Sequence, residues 1–281
     1  MDDYLMTLSD KEFRDVARLM YERFGIHLTE QKRTLVAGRL TKRIRNLGLA
    51  NIGEYLVRVH ADKTGAELTE LVDRITTNHS FFYREKDHFE FLVSDVLPAI
   101  KARRERDAGF SLRVWSAGCA TGEEPYTIAM AIREFLGATA NTADWGVLAT
   151  DLSLAALREA IKAVYADNRV RELPAAWRSS YLEKRGEDEW AIKEDLRRAV
   201  MFKRLNLMNE NYPFKGLFDV VFCRNVMIYF DPPVRRALVD RIYRYVKPGG
   251  YLFVGHSESL PRETCPFDYV RPAIYRKADV R

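Results

Sequence analysis

Three stretches of this 281-residue chain hold residue types at spacings that could do chemistry. The first is Ser116-Ala117-Gly118-Cys119-Ala120-Thr121-Gly122-Glu123-Glu124-Pro125, between a predicted strand and a predicted helix. Glycines there let the backbone turn tightly and approach a ligand. The helix start beyond it offers unpaired N–H groups to an anion. The spacing is not the dinucleotide pattern Gly-x-Gly-x-x-Gly, and Glu123 and Glu124 are poor neighbours for a pyrophosphate. They suit a ligand with an ammonium or sulfonium charge. On these residues alone, an ordinary tight turn explains the loop equally well. The second stretch ends at Asp151, just after a predicted strand, where an acid can take ribose hydroxyls. Asp151 or Ser153 could equally cap the next helix. The third holds Asn225, just past the strand ending at Cys223. Ligands of open sheets bind beyond the carboxyl ends of strands, so Asn225 and the glycine loop should face one crevice. A turn asparagine is the plainer alternative. Lys247-Pro248-Gly249-Gly250 reads as structure only, a helix stop and a turn.

The elements that position these residues form an alternating series. Leu112–Trp115, Trp145–Thr150, Phe218–Cys223 and Tyr251–Val254 read as strands. Pro125–Phe135, Leu154–Ala163 and Pro233–Val246 read as helices. Such alternation predicts a mostly parallel sheet covered by helices. Between about Asp167 and Arg198 the rhythm breaks into a charged insertion, read as a helix with short antiparallel strands around the turn Arg185-Gly186-Glu187-Asp188.

Ahead of the sheet, Leu8 to about Ile75 shows helical periodicity and almost no strand signal. Ser9 and Glu12 make a capping box, and Phe13, Val16, Ala17 and Met20 follow at helical spacing up to Gly25. A second helix runs from about Thr29 to Leu47, with two more at Ile52–Val59 and Leu68–Ile75. The second helix carries Lys32, Arg33, Arg39, Lys42, Arg43 and Arg45 and no acid between Lys32 and Arg45. Arg39, Lys42 and Arg45, with Arg43 beside them, form one basic stripe. A solvated helix face is the bland reading. Nucleic acid is disfavoured, because the stripe lacks interleaved aromatics and the net charge is only +5.

Hydrophobic residues make up 47% of the chain, enough for a packed core. The start, MDDYLM, is no secretory signal, and no apolar run approaches the roughly 20 residues that span a bilayer. Cys119, Cys223 and Cys265 lie too far apart for a metal pair or a disulfide framework, so no metal is expected and a reducing cytoplasm is the simplest setting.

Four motifs, in order, resemble those of the chemotaxis receptor methyltransferases of the CheR type. They are Thr76-Thr77-Asn78-His79-Ser80-Phe81-Phe82-Tyr83-Arg84-Glu85, Val114 to Tyr126, Phe222-Cys223-Arg224-Asn225-Val226-Met227-Ile228-Tyr229-Phe230, and Gly255-His256-Ser257-Glu258. The resemblance spans Leu8 to Tyr275. It implies an α/β fold: a class I methyltransferase, Rossmann-like sheet with an inserted small antiparallel β subdomain, preceded by an all-helical domain. It implies a receptor-recognition domain over 1–75, a linker over 76–90 that contributes to the cofactor site, and an S-adenosylmethionine-binding domain over 91–281 with its insertion at about 167–200. Asn78, Ser80 and Arg84 would lie over the cofactor, Gly118 in its loop, Glu124 near its methionine end and Asp151 at its ribose. Asn206 and Leu207 would flank the adenine, and Asn225 and Val226 would complete the pocket. Arg84 and Tyr229 would be nearest the transferred methyl. The acceptor would be glutamate on the methylation helices of cytoplasmic receptor domains, which the stripe at Arg39, Lys42, Arg43 and Arg45 would meet. The products would be glutamyl methyl esters and S-adenosylhomocysteine, from an enzyme with no direct membrane insertion and a monomer by default. Ser80 and Tyr83 replace the family's usual threonine and phenylalanine and keep the hydroxyl and the ring. The turn around Gly186 is shorter than in members that dock a receptor's C-terminal tether, which speaks against tether binding. Two rival readings are a methyltransferase for RNA or a small molecule, and a cofactor sensor without activity. The helical domain and the Asn78–Arg84 linker argue against the first, and retention of Arg84, Asp151 and Asn225 argues against the second.

Overall fold

The computed structural model describes residues 6–104 and 110–279. Met1 to Leu5, most of the acidic start considered above, lie outside them. Helices α1 (Asp10–Phe24), α2 (Arg33–Asn46), α3 (Ile52–Ala61) and α4 (Ala66–Ile75) come first. The capping box forms: Ser9 Oγ accepts from the Glu12 N–H, and the Glu12 carboxylate accepts from the Ser9 N–H at 2.9 Å. Gly25 ends α1 with φ 69°, and its N–H donates to the carbonyls of Met20 and Tyr21. The second helix is less regular than its pattern predicts. A 3-10 turn, Glu30–Lys32, precedes α2.

One helix escaped the sequence reading. It runs as α5 (Lys86–Phe91), a π turn over Leu92–Val96 and α6 (Leu97–Arg104), and buries Phe89, Leu92, Val96 and Ile100. Pro98 explains the π turn. Proline lacks an N–H and crowds the carbonyl four residues back. Widening the preceding turn, with the Leu97 N–H donating to the Leu92 carbonyl, lets the helix continue.

The alternating part follows: β1 (Ser111–Ala117), α7 (Glu123–Leu136), β2 (Asp144–Asp151) and α8 (Leu154–Lys162). Next come β3 (Val164–Ala166), α9 (Asp167–Val170), α10 (Ala175–Tyr181), β4 (Leu182–Arg185), β5 (Glu189–Ile192) and α11 (Glu194–Arg197). The chain ends with β6 (Val200–Arg204), β7 (Phe218–Cys223), α12 (Pro232–Tyr245), β8 (Val246–Val254), β9 (Asp268–Arg271) and β10 (Ile274–Arg276). The main sheet has the order β6-β2-β1-β7-β8-β10-β9, and β3-β5-β4 form a separate antiparallel sheet. The first five strands are parallel, while β10 runs antiparallel to β8 and β9. The fold is therefore the α/β sheet with a small antiparallel companion and a helical N-terminal part. The order reverses between β1 and β7. Loops leaving these strands diverge there and open a crevice at the strands' carboxyl ends.

Lys247-Pro248-Gly249-Gly250 is not a turn ahead of a strand, as read above. It is a bulge inside β8. Phe218 pairs with Val246 and Val220 with Tyr251, so β8 spends five residues where β7 spends two. Buried Asp219 anchors the bulge by accepting from Lys247 Nζ at 2.8 Å. Glycine at 249, with φ 68°, supplies the left-handed residue the bulge needs.

Side chains alternate across the sheet, and both faces are apolar. Trp115, Val221 and Leu252 join a cluster that runs without a break into Phe13, Met20, Leu40, Tyr55 and Leu71 of the helical part. Val114, Phe222 and Phe253 face the other way, onto Phe89, Leu92 and Ile128. Polar contacts reinforce the junction. Tyr21 Oη donates to Asp231 at 2.8 Å, the His27 N–H to the Tyr229 carbonyl at 2.8 Å, and Asn206 Nδ2 to the Arg23 carbonyl at 2.8 Å. Among the described residues no helix is long and apolar enough to cross a membrane.

Gly25 tests this junction. A Cβ there would lie 2.5 Å from Met208 Sδ and 3.0 Å from Val234 Cγ1, whereas Gly48, also left-handed, has open space around it. Gly48→Ala should cost about 1–2 kcal/mol from backbone conformation alone. Gly25→Ala should cost about 2–4 kcal/mol, because overpacking adds to that penalty. Urea denaturation of the two variants checks the difference, and equal losses would remove the junction from the account.

Candidate functional site

A cavity of about 310 Å³ lies beyond the carboxyl ends of β1, β2, β6 and β7, with the helical part as its opposite wall. Asn78, Ser80, Arg84, Gly118, Glu124, Asp151, Asn206, Leu207, Asn225, Val226 and Tyr229 all line it. Residues spread over 150 positions of sequence thus meet in one place because four parallel strands end there. Phe24, Ile26, Leu28 and Ile75 add an apolar wall from the helical side.

The glycine loop is built for close approach. Gly118 has φ 82°, and a Cβ on it would stand 2.3 Å from Val226 Cγ2. No other residue fits between β1 and the loop after β7 without moving that valine. The loop is held from below by Asp151. Its Oδ2 accepts from the Ala120 N–H and its Oδ1 from the Ser153 N–H, both at 2.8 Å. Ser153, not Asp151, caps α8, accepting from the Ala156 N–H at 3.1 Å. Each Asp151 oxygen keeps a second lone-pair direction for a ligand hydroxyl. Burial pushes its carboxyl above the usual aspartate range, despite the backbone N–H donors.

Glu124 opens α7 beside the same loop. It accepts from Ser116 Oγ at 2.7 Å and from Arg224 Nη1 at 3.1 Å. Burial raises its pKa, and the charge of Arg224 with the Ser116 hydrogen bond does not fully offset this. An added cation in the cavity would stabilise the carboxylate. Neighbouring Glu123 points away, into an ion pair with Arg169.

Asn225 occupies the left-handed region at φ 58°. Its N–H donates to Glu258 Oε2 at 2.7 Å, and the same buried carboxylate accepts from the N–H groups of Ile228 and Gly255. Glu258 thereby moulds the loop that presents Asn225, Val226 and Tyr229. Tyr229 Oη donates to the Thr77 carbonyl at 3.4 Å, and Lys32 Nζ lies 5.3 Å from its ring centre. Arg84 donates to the His79 carbonyl at 3.2 Å and lies 5.7 Å from the centre of the Phe81 ring.

The basic stripe divides. Arg39 donates to the Ile75 and Thr76 carbonyls and to Thr77 Oγ1, so it fastens the start of the linker to α2. Arg43 pairs with buried Glu67. Lys42 and Arg45 are exposed. The expected row of four outward charges is therefore two outward charges and two that hold α4, because the stripe's inner edge packs on that helix.

Three residues of the site were not singled out from sequence. Arg224 is almost fully buried, donates to both Glu85 and Glu124, and reaches the Arg84 carbonyl. Desolvation pushes Glu85 up, but the charge and hydrogen bonds of Arg224 outweigh it and hold the carboxyl below its usual range. Glu258 is the second and Glu85 itself the third. Their signal was present: an arginine directly after the wholly buried strand Phe218–Cys223 must find acids. Below Glu85, burial lowers His88 to about 4, leaving a neutral imidazole at physiological pH.

Comparison with known proteins agrees with the sheet and the cavity. The all-alpha domain of the CheR methyltransferases matches residues 11–76, and their S-adenosylmethionine-binding domain matches residues 78–275. A chemotaxis protein methyltransferase of Borreliella burgdorferi is 38% identical over 272 residues, covering 97% of this chain and 96% of that protein. One from Escherichia coli is 37% identical over 258 residues, covering 91% and 86%. Chemotaxis protein methyltransferase 2 of Pseudomonas aeruginosa is 37% identical over 272 residues, covering 95% and 93%. Matched along nearly its whole length, the chain belongs to the CheR methyltransferase family and is a chemotaxis-type methyltransferase with an S-adenosylmethionine-binding domain.

Proposed function

We propose that this enzyme methylates glutamate side chains on chemoreceptors, giving glutamyl methyl esters and S-adenosylhomocysteine, and so sets receptor adaptation. The observation that carries the reading is the pairing of charges at the cavity. An acid, Glu124, lies in its depth, and a cation, Arg84, comes from the linker that covers it. The first suits a cationic cofactor and the second an anionic acceptor. A cavity of this size with mostly apolar walls suits a nucleoside.

In this reading Asp151 takes the ribose hydroxyls, Asn206 and Leu207 flank the adenine, and Gly118, Asn225 and Val226 shape the floor. Asn78 and Ser80 lie over the cofactor. Bound S-adenosylmethionine would supply a sulfonium methyl for transfer to a carboxylate oxygen, leaving S-adenosylhomocysteine as the neutral-sulfur product. A glutamate side chain has an unperturbed pKa of about 4.3, so it arrives as the anion and needs no general base. The protein's work is then alignment and exclusion of water. Arg84 orients the acceptor carboxylate through charge-assisted hydrogen bonds. Tyr229, fixed by Thr77 and Lys32, offers its ring and hydroxyl beside the reacting methyl. Residues 1–75 recognise the receptor, residues 76–90 close the cofactor site, and residues 91–281 carry the chemistry. Lys42 and Arg45 meet the Glu-rich methylation helices. The enzyme acts as a cytoplasmic monomer that needs no nucleic acid and no membrane insertion.

Transfer of labelled methyl to receptor cytoplasmic fragments, followed by mild alkali, tests the reaction. Release of labelled methanol identifies an ester, and cofactor binding without any alkali-labile product would overturn the glutamate reading. Arg84→Ala should lower turnover roughly 10- to 100-fold, as expected when a charge-assisted hydrogen bond of about 1.5–3 kcal/mol is lost. Calorimetric affinity for S-adenosylmethionine should change little, and unaltered turnover would remove Arg84 from its role.

Glu124 makes cofactor affinity depend on pH. Its raised pKa means the carboxyl is an anion above that value and neutral below it. The cofactor's positive charge favours the anion, so affinity should weaken as pH falls through the raised pKa, by up to about tenfold per unit. In Glu124→Gln that slope should vanish. Equal slopes in the two proteins would place the cation elsewhere.

Reversing both exposed charges, Lys42→Glu with Arg45→Glu, should raise KM for the receptor fragment roughly tenfold at low salt and leave kcat nearly unchanged. Michaelis curves at two ionic strengths would show it. An unchanged KM would move receptor binding to another face.

A further inference from the structure

Outside the cofactor cavity lies a polar cluster that no step above uses. His88, on α5, has no exposed surface, and neither of its ring nitrogens has a hydrogen-bond partner among the described residues. Buried polar atoms are rarely left this way, and a bound water or ion is one thing that satisfies them. The neutral imidazole is aimed at an acid: Nδ1 lies 3.5 Å from Glu85 Oε2. His256, in the loop after β8, stands edge-on to His88 with ring centres 4.7 Å apart. One donor atom from each of Glu85, His88 and His256 lies within 4.8 Å of the other two. Asp87 Oδ2 sits 3.2 Å from His256 Nε2.

We propose that Glu85, His88 and His256 form a binding site for a divalent transition-metal cation, with zinc as the best match. Two imidazoles and a carboxylate suit zinc, nickel or copper, whereas magnesium and calcium prefer oxygen donors throughout. Zinc holds such donors at about 2.0–2.2 Å, which sets them roughly 3.3–3.6 Å apart in a tetrahedron. His88 and Glu85 already have that separation. His256 is half-exposed and has room to close the remainder. Asp87 orients His256 as an outer carboxylate, and the fourth position is left to water. Arg224 faces the cluster and holds Glu85 Oε2 at 3.0 Å. A carboxylate has about four lone-pair sites, so Glu85 keeps Arg224 and still ligates. Two carboxylates, Glu85 and Asp87, stand against one guanidinium here, a formal balance that favours a cation. Cysteine spacing, used above to set metals aside, is blind to this set, because its ligands are two histidines and a glutamate from the linker and the loop after β8. Bound metal would fasten the linker end, at Glu85 and His88, to the loop after β8.

The test uses the full chain, freed of any affinity tag and stripped by a chelator. Zinc titration by calorimetry should give one equivalent per chain at micromolar affinity or tighter. Cobalt should bind with visible absorption bands of a four- or five-coordinate site. His256→Ala changes a half-exposed side chain, so the fold should persist by circular dichroism. It should weaken zinc binding at least about a hundredfold and abolish the cobalt bands. Zinc should raise the melting temperature of the parent protein and not of the variant. Absence of a stoichiometric equivalent, or the same affinity in folded His256→Ala, would overturn the proposal.

Discussion

The guanidinium of Arg224 is withdrawn from water at the end of β7, where it meets Glu85, Glu124 and the carbonyl of Arg84. Taking one such charge out of solvent costs several kcal/mol, and only well-placed acids offset it. Here the offset comes from two different parts of the chain. Glu85 belongs to the segment that joins the helices to the sheet, and Glu124 to the first turn of α7. The ion-pair geometry therefore sets where the linker lies over the glycine loop. If the arginine were missing, two partly buried carboxylates would face each other without a counter-charge, and the linker would lose its reason to lie there.

Around that centre the loops are shaped by acids acting on backbone rather than on ligand. Asp151 gathers N–H groups from the glycine loop and from the start of α8. Glu258 gathers three, two from the loop after β7 and one from its own loop. Both are buried and aim their carboxylates at main chain, so the loops are stiff before anything binds. Such preorganisation lowers the ordering cost of association. It also accounts for non-glycine residues, Ala120 and Asn225, holding left-handed backbone at the cavity's edge.

Much of this was legible in the amino-acid sequence, for identifiable reasons. Ser9, Glu12 and Gly25 mark the ends of α1 by local chemistry that needs no tertiary information. The strands buried on both faces, such as Phe218–Cys223, announce themselves as mostly apolar runs. Asn225 and the glycine loop could be placed at one crevice because parallel strands all end on the same side. What escaped notice depends on partners distant in sequence. The helix through Pro98 was missed because proline argues locally against it, and only the π turn reconciles the two. Lys247–Gly250 looks like a turn because its lysine-to-Asp219 anchor lies on the neighbouring strand. Arg39 and Arg43 looked like surface charge because Glu67 and the end of α4 lie outside α2. A stripe on one helix says which way charges point, not what already stands in front of them.

The unbroken apolar cluster that joins Met20 and Leu40 to Trp115 and Val221 has a meaning for the cell as well as for the fold. Two parts that share one interior melt together, so neither is a spare module that can be lost or loosened by itself. A flaw in the helical bundle, remote from any methyl group, would spread into the sheet as a larger unfolded fraction, open to proteases and chaperones. Natural variation there would be felt as enzyme abundance, while each surviving molecule worked at its full rate.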